Sequence, residues 1–78
     1  MAEQDWVAEL RRLAALGMDI VQIAEHMREN HDEFRQRSIV ILNHYRVAFG
    51  LSIPQMQDIG GWYEGGLSAE YLRNEIQL

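Results

Sequence analysis

The fold of this chain is decided at "GLSIPQM", Gly50 to Met56. A glycine is followed by an apolar residue, a serine and a second apolar residue. Glycine at the C′ position ends a helix in the left-handed conformation that other residues resist. Ser52 then stands where an N-cap belongs, and Gln55, three residues on, completes a capping box. Leu51 and Met56 have the spacing of a hydrophobic staple. Pro54 falls in the first helical turn, where its missing N–H costs nothing. One short stretch thus predicts where one helix stops and the next begins.

The pattern recurs as "GMDIVQI" from Gly17 and "GLSAEYL" from Gly66. Asp19 and Ser68 are the caps, Gln22 repeats the capping box, and Tyr71 replaces it in the third copy. Met18/Ile23 and Leu67/Leu72 are the matching staples. Gly17, Gly50 and Gly66 are all expected at positive φ. The first two joints lie 33 residues apart, the spacing of a helical repeat, but little upstream of them agrees. Convergence on the same capping chemistry accounts for the likeness.

Helix 1 is predicted over Glu3–Leu16, with Trp6, Leu10 and Leu13 on one face. Helix 2 is predicted over Ile20–Asn30, its stripe being Ile20, Ile23, Ala24 and Met27. The polar "NHDE" from Asn30 to Glu33 reads as a turn. Helix 3 follows over Phe34–Phe49, with Phe34, Ile41, Leu42, Tyr45, Ala48 and Phe49 forming a broad apolar face. Its β-branched "IVIL" also suits a short buried strand, but the flanking 3.6-residue period favours helix. Helix 4 is expected over Ile53–Ile59 and helix 5 over Ala69–Gln77, with Gly60–Gly66 as a loop between them. The expected fold is an all-α, compact bundle of about five short helices in one domain, residues 1–78.

Composition limits function. A chain of 78 residues buries only about 60% of the surface its unfolded form exposes, so the core is thin. Cysteine is absent, which excludes disulfides and thiolate metal sites and gives no sign of an oxidising compartment. The longest apolar run, Ile39 to Leu42, falls far short of the ~20 residues of a membrane span. The opening "MAEQDW" has neither the basic region nor the apolar core of a signal peptide. A cytoplasmic protein with no membrane association is expected. Twelve acidic residues oppose seven basic ones, all of them arginine, for a net charge of −5. That balance repels phosphate backbones and favours basic partners.

The segment "ILNHYRVAFGLSIPQMQDI" (Ile41–Ile59) resembles the helix–glycine–helix joint of MerR-type transcription regulators and that of the ribosomal stalk protein's C-terminal domain. The earlier "LAALGMDIVQIAEHMREN" (Leu13–Asn30) is similar to ubiquitin-associated (UBA-like) three-helix domains, with the glycine and methionine of the joint in reversed order. These resemblances imply small helical modules built on capped joints. The lysines of the stalk family and the signature preceding the MerR joint are missing, so no functional residue carries over.

A helix-turn-helix reader would present helix 2 (Gln22, Glu25, His26, Glu29) or helix 4 (Gln55, Gln57, Asp58) to DNA. Neither set contains the Arg or Lys that phosphate and guanine contacts call for. His26, His31, Asp32 and Glu33 invite a metal reading, but the two histidines are five residues apart, where helical ligands want three or four. His44, Tyr45 and Arg46 are consecutive on a helix and point apart. No metal, no cofactor and no catalytic residue is expected. The remaining candidates are Trp62, Tyr63 and Glu64, bracketed by glycines. Trp62 is expected mainly to plug the gap between helices 3, 4 and 5, with Tyr63 and Glu64 forming an outward edge. Glu25 and Glu29 of helix 2 would steer this surface onto a basic protein. The expected function is a protein-binding module, an inhibitor, immunity or adaptor protein acting by surface occlusion. A small helix-turn-helix-like regulator and a structural homo-oligomer subunit are the alternatives. A homodimer through the apolar excess of helix 3 is also expected.

Overall fold

The computed structural model describes residues 5–78. It is an all-α bundle: α1 (Trp6–Ala15), α2 (Ile20–Asn30), a single 3₁₀ turn (Asp32–Phe34), α3 (Ile39–Phe49), α4 (Ile53–Tyr63) and α5 (Ala69–Glu75). Each α-helix begins on an Asp or Ser whose side chain accepts from the N3 backbone N–H: Asp5, Asp19, Ser38, Ser52 and Ser68. At Asp19 and Ser52 the glutamine reaches back as well, closing both capping boxes. The predicted start of helix 1 at Glu3 lies outside the described residues.

The joints are Schellman turns. At Gly17 (φ 91) the Met18 N–H reaches back to the Leu13 carbonyl, and at Gly50 (φ 63) the Leu51 N–H reaches the Arg46 carbonyl. The third left-handed residue is Gly65 (φ 81), not the expected Gly66. Gly65 N–H donates to the Trp62 carbonyl at 3.0 Å and Gly66 N–H to the Gly61 carbonyl at 2.9 Å. Gly66 is therefore the residue after the turn, a position that needs no positive φ.

Three further boundaries differ from the sequence reading. Helix 3 starts at Ile39, because Ser38 caps it and the 35–38 segment runs non-helically before it. Phe34 still enters the core, but from the 3₁₀ turn. Helix 4 does not stop at Ile59; it continues through Gly60 and Gly61 to Tyr63. The glycines are there for close approach. A Cβ on Gly60 would lie 2.7 Å from Arg37 Nε and 3.1 Å from Leu42 Cδ1, and one on Gly61 would lie 3.1 Å from Leu67 Cδ1. Helix 5 ends at Glu75, two residues short of the predicted end.

The stretch "IVIL" is helical, with Ile41 and Leu42 buried and Ile39 and Val40 outward. One core joins the inward stripes of all five helices: Leu10 and Leu13, Ile20, Val21, Ile23, Ala24 and Met27, Phe34, Tyr45, Ile59, Leu72 and Ile76 among others. No polar or charged residue is buried among the described residues. α1 packs on α3, α3 on α4, and α5 closes the bundle against α2 and α4. Polar ties cross these seams. Arg11 Nε donates to the Ala48 carbonyl at 3.0 Å, Gln55 Nε2 to the Glu75 carbonyl at 3.2 Å, and Arg73 Nε to Asp19 Oδ2 at 3.1 Å.

Candidate interaction edge

Because α4 runs on to Tyr63, the direction of its last two aromatics is set by the helix and not by a loop. Tyr63 lies four residues after buried Ile59 and so turns inward. Its hydroxyl meets that of Tyr45, a fully buried residue of α3, at 2.9 Å. Tyr63 is thus half-buried and is not the outward edge that the sequence suggested. The bond has a physical reason: a phenol taken into a core needs a partner.

Trp62 is half-buried too, and packs against the core without filling it. Its neighbour is α2. The guanidinium carbon of Arg28 sits 4.5 Å from the Trp62 ring centroid and 5.8 Å from that of Tyr63. Trp62 and Tyr63 themselves meet edge to face at 5.3 Å. Arg28 is therefore held by a cation–π contact across the α2–α4 seam.

Glu25 and Glu29 lie three residues before and one after Arg28 on α2, and both are exposed. Neither takes part in any of the four ion pairs among the described residues. Glu64, also exposed, is engaged: its Oε1 lies 3.1 Å from Arg37 Nη1. The structure thus sets Arg28 on Trp62, leaves Glu25 and Glu29 exposed on the same helix, and sends Glu64 to a separate contact with the segment before α3. Arg28 had no signal in the sequence, since one arginine on a helix that also carries acids reads as a solvated residue.

The histidines are occupied with packing. His31 stands edge-on to Trp6 at 4.7 Å and His44 lies 6.1 Å from Phe34, while His26 and His31 are 6.5 Å apart. No three His, Cys, Asp or Glu converge as metal ligands among the described residues. An open groove of about 290 Å³ lies between the α1–α2 joint and the chain end, lined by Ala14, Met18, Asp19, Arg73, Ile76 and Leu78 among others. Its charged groups are already joined to each other as the Asp19–Arg73 pair.

The paired tyrosines make stability pH-dependent. Burial pushes the phenols of Tyr45 and Tyr63 above the ordinary tyrosine range. Tyr71 is also raised, by the nearby carboxylates of Glu75 and Asp58, but it stays exposed. The folded state keeps protons on Tyr45 and Tyr63 that the unfolded chain releases above about pH 10. The stability they contribute is complete below that pH and is lost as pH rises through and beyond it. In a near-ultraviolet alkaline titration, Tyr71 alone should ionise while the helices persist; Tyr45 and Tyr63 should ionise only with unfolding. Three phenols titrating together with helicity intact would contradict the buried pair.

Fold and edge together define a small all-α bundle with an acidic, aromatic-backed surface. Compared with protein-family models, curated proteins and solved structures, the chain matches none. No helix among the described residues is long and apolar enough to cross a membrane.

Proposed function

We propose that this protein is a non-enzymatic binding module that covers a basic surface of another protein, in the manner of a cytoplasmic inhibitor, immunity protein or adaptor. The observation carrying this reading is the α2–α4 edge. Two exposed carboxylates without ion-pair partners among the described residues, Glu25 and Glu29, stand on the same helix as an arginine stacked on a half-exposed tryptophan. Immobilisation matters because an interface residue fixed beforehand loses less entropy on binding. Unpaired rim carboxylates accelerate encounter with a basic partner, and the aromatic supplies the anchor. The net charge of −5 and the acidic outward face of α2 argue against a phosphate backbone as the partner.

The test is affinity capture with the wild-type chain and with the Glu25→Arg/Glu29→Arg double variant, the retained proteins being identified by mass spectrometry. Partners specific to the wild type should be eluted by salt, and the double variant should bind them at least about tenfold more weakly with its thermal melt unchanged. Equal capture by both forms would sink the assignment of this edge.

A further inference from the structure

We infer that the α2–α4 edge receives a carboxylate of its protein partner on Arg28. The inference rests on the function proposed above and adds what the partner presents there: an acidic side chain set among basic ones. The chain's arginines differ in what holds them. Arg12, Arg35, Arg37 and Arg73 pair with the carboxylates of Glu9, Asp32, Glu64 and Asp19. Arg11 donates to the carbonyls of Ala48 and Val47. Arg46 has its Nε enclosed without a partner among the described residues. Arg28 is held by rings instead, 4.5 Å from the Trp62 centroid and 5.8 Å from that of Tyr63. It enters none of the ion pairs among the described residues, and the arginine hydrogen bonds there belong to Arg11, Arg12 and Arg73. None of its nitrogens is enclosed without a partner, so its N–H groups reach solvent. Even Glu25, three residues earlier and its neighbour on the helix surface, does not claim it.

Stacking decides what such a group can bind. A ring takes the face of a guanidinium and uses none of its N–H groups. The edge stays available, and its parallel N–H pairs match the two oxygens of a carboxylate. Arg28 is already positioned, so less side-chain entropy is lost when a ligand arrives. A nucleic-acid phosphate would fit the same fork, but the net charge of −5 and the exposed Glu25 and Glu29 on the same helix repel a phosphate backbone. A single carboxylate flanked by lysine or arginine satisfies both signs, with the acid on Arg28 and the bases towards the two glutamates.

Two tripeptides blocked at both ends, Lys-Glu-Lys and Lys-Gln-Lys, test this when titrated into the full isotope-labelled chain and followed by NMR. Both should shift the Trp62 indole and Arg28 Nε–H signals, and the Glu peptide should bind roughly threefold more tightly. The field of an acidic chain favours the more positive Gln peptide, so a preference for Glu points to a local cation. Arg28→Gln should abolish that preference, with circular dichroism checking the fold. Wild-type binding that is equal for the two peptides, or tighter for Gln, would overturn the carboxylate contact and leave the acidic edge standing. Signals of Trp62 and Arg28 that respond to neither peptide would sink it as well. So would a preference for Glu that survives in folded Arg28→Gln, since another residue would then hold the carboxylate.

Discussion

Phe34→Ala is expected to remove a large share of the chain's folding stability. Phe34 is fully buried although it belongs to a one-turn element with polar neighbours. Its ring touches Trp6 from α1 (5.1 Å between centroids), Tyr45 from α3 (5.7 Å) and His44 (6.1 Å). Truncating a buried phenylalanine costs about 3–5 kcal/mol, because the surrounding side chains collapse only partly into the space. A domain of this size has only about 4–12 kcal/mol of stability in all. Urea unfolding followed by far-ultraviolet circular dichroism would measure the loss. A deficit below about 1 kcal/mol would mean that the 3₁₀ turn is not the tie between α1 and α3 described above.

The second large effect is expected from the backbone. Gly50→Val should cost about 2 kcal/mol, at the upper end of the left-handed penalty because valine is β-branched. Its chain neighbours aside, no atom of the described residues lies within 4 Å of the position its Cβ would take, so the cost lies in the backbone conformation and not in a tertiary clash. Gly66→Val provides the control. Gly66 is not among the positive-φ glycines, and a Cβ there meets nothing closer than the Gly61 carbonyl oxygen at 3.5 Å. Thermal melts should therefore separate the two variants by several degrees. Equal melting temperatures would contradict the left-handed assignment of Gly50.

Much of the bundle was legible because its signals are local. A cap and its N3 partner are three residues apart, and Asp19/Gln22 and Ser52/Gln55 fixed two helix starts from a few letters each. Ser38 was equally local, but Phe34 stands one heptad before Ile41 and so extended the apparent helical phase backwards over it. Gly60 and Gly61 misled for the opposite reason. Glycine is a poor helix former in isolation, and the need for it came from Arg37, Leu42 and Leu67, which only packing brings near. The candidate edge was partly visible for the same reason. Glu25, Glu29 and Trp62 were chosen on chemistry, whereas Arg28 joins them across 34 positions of sequence, and Tyr63 was misdirected because its partner Tyr45 is 18 residues away.

The paired glycines of α4 also bear on how a partner would experience the edge. Together they remove about 1–2 kcal/mol of intrinsic helicity from the turn that presents Trp62 and Tyr63. That turn is ordered by what it leans on, so it is a natural place for opening short of global unfolding. When it opens, Arg28 loses the ring beneath it and the edge ceases to exist as a surface. A partner that grips Trp62 thus selects the closed form, and its apparent affinity scales with the fraction of time that the turn spends closed. Any change at Arg37, Leu42 or Leu67 that loosens the seat of α4 would then register as weaker binding at a site none of the three touches.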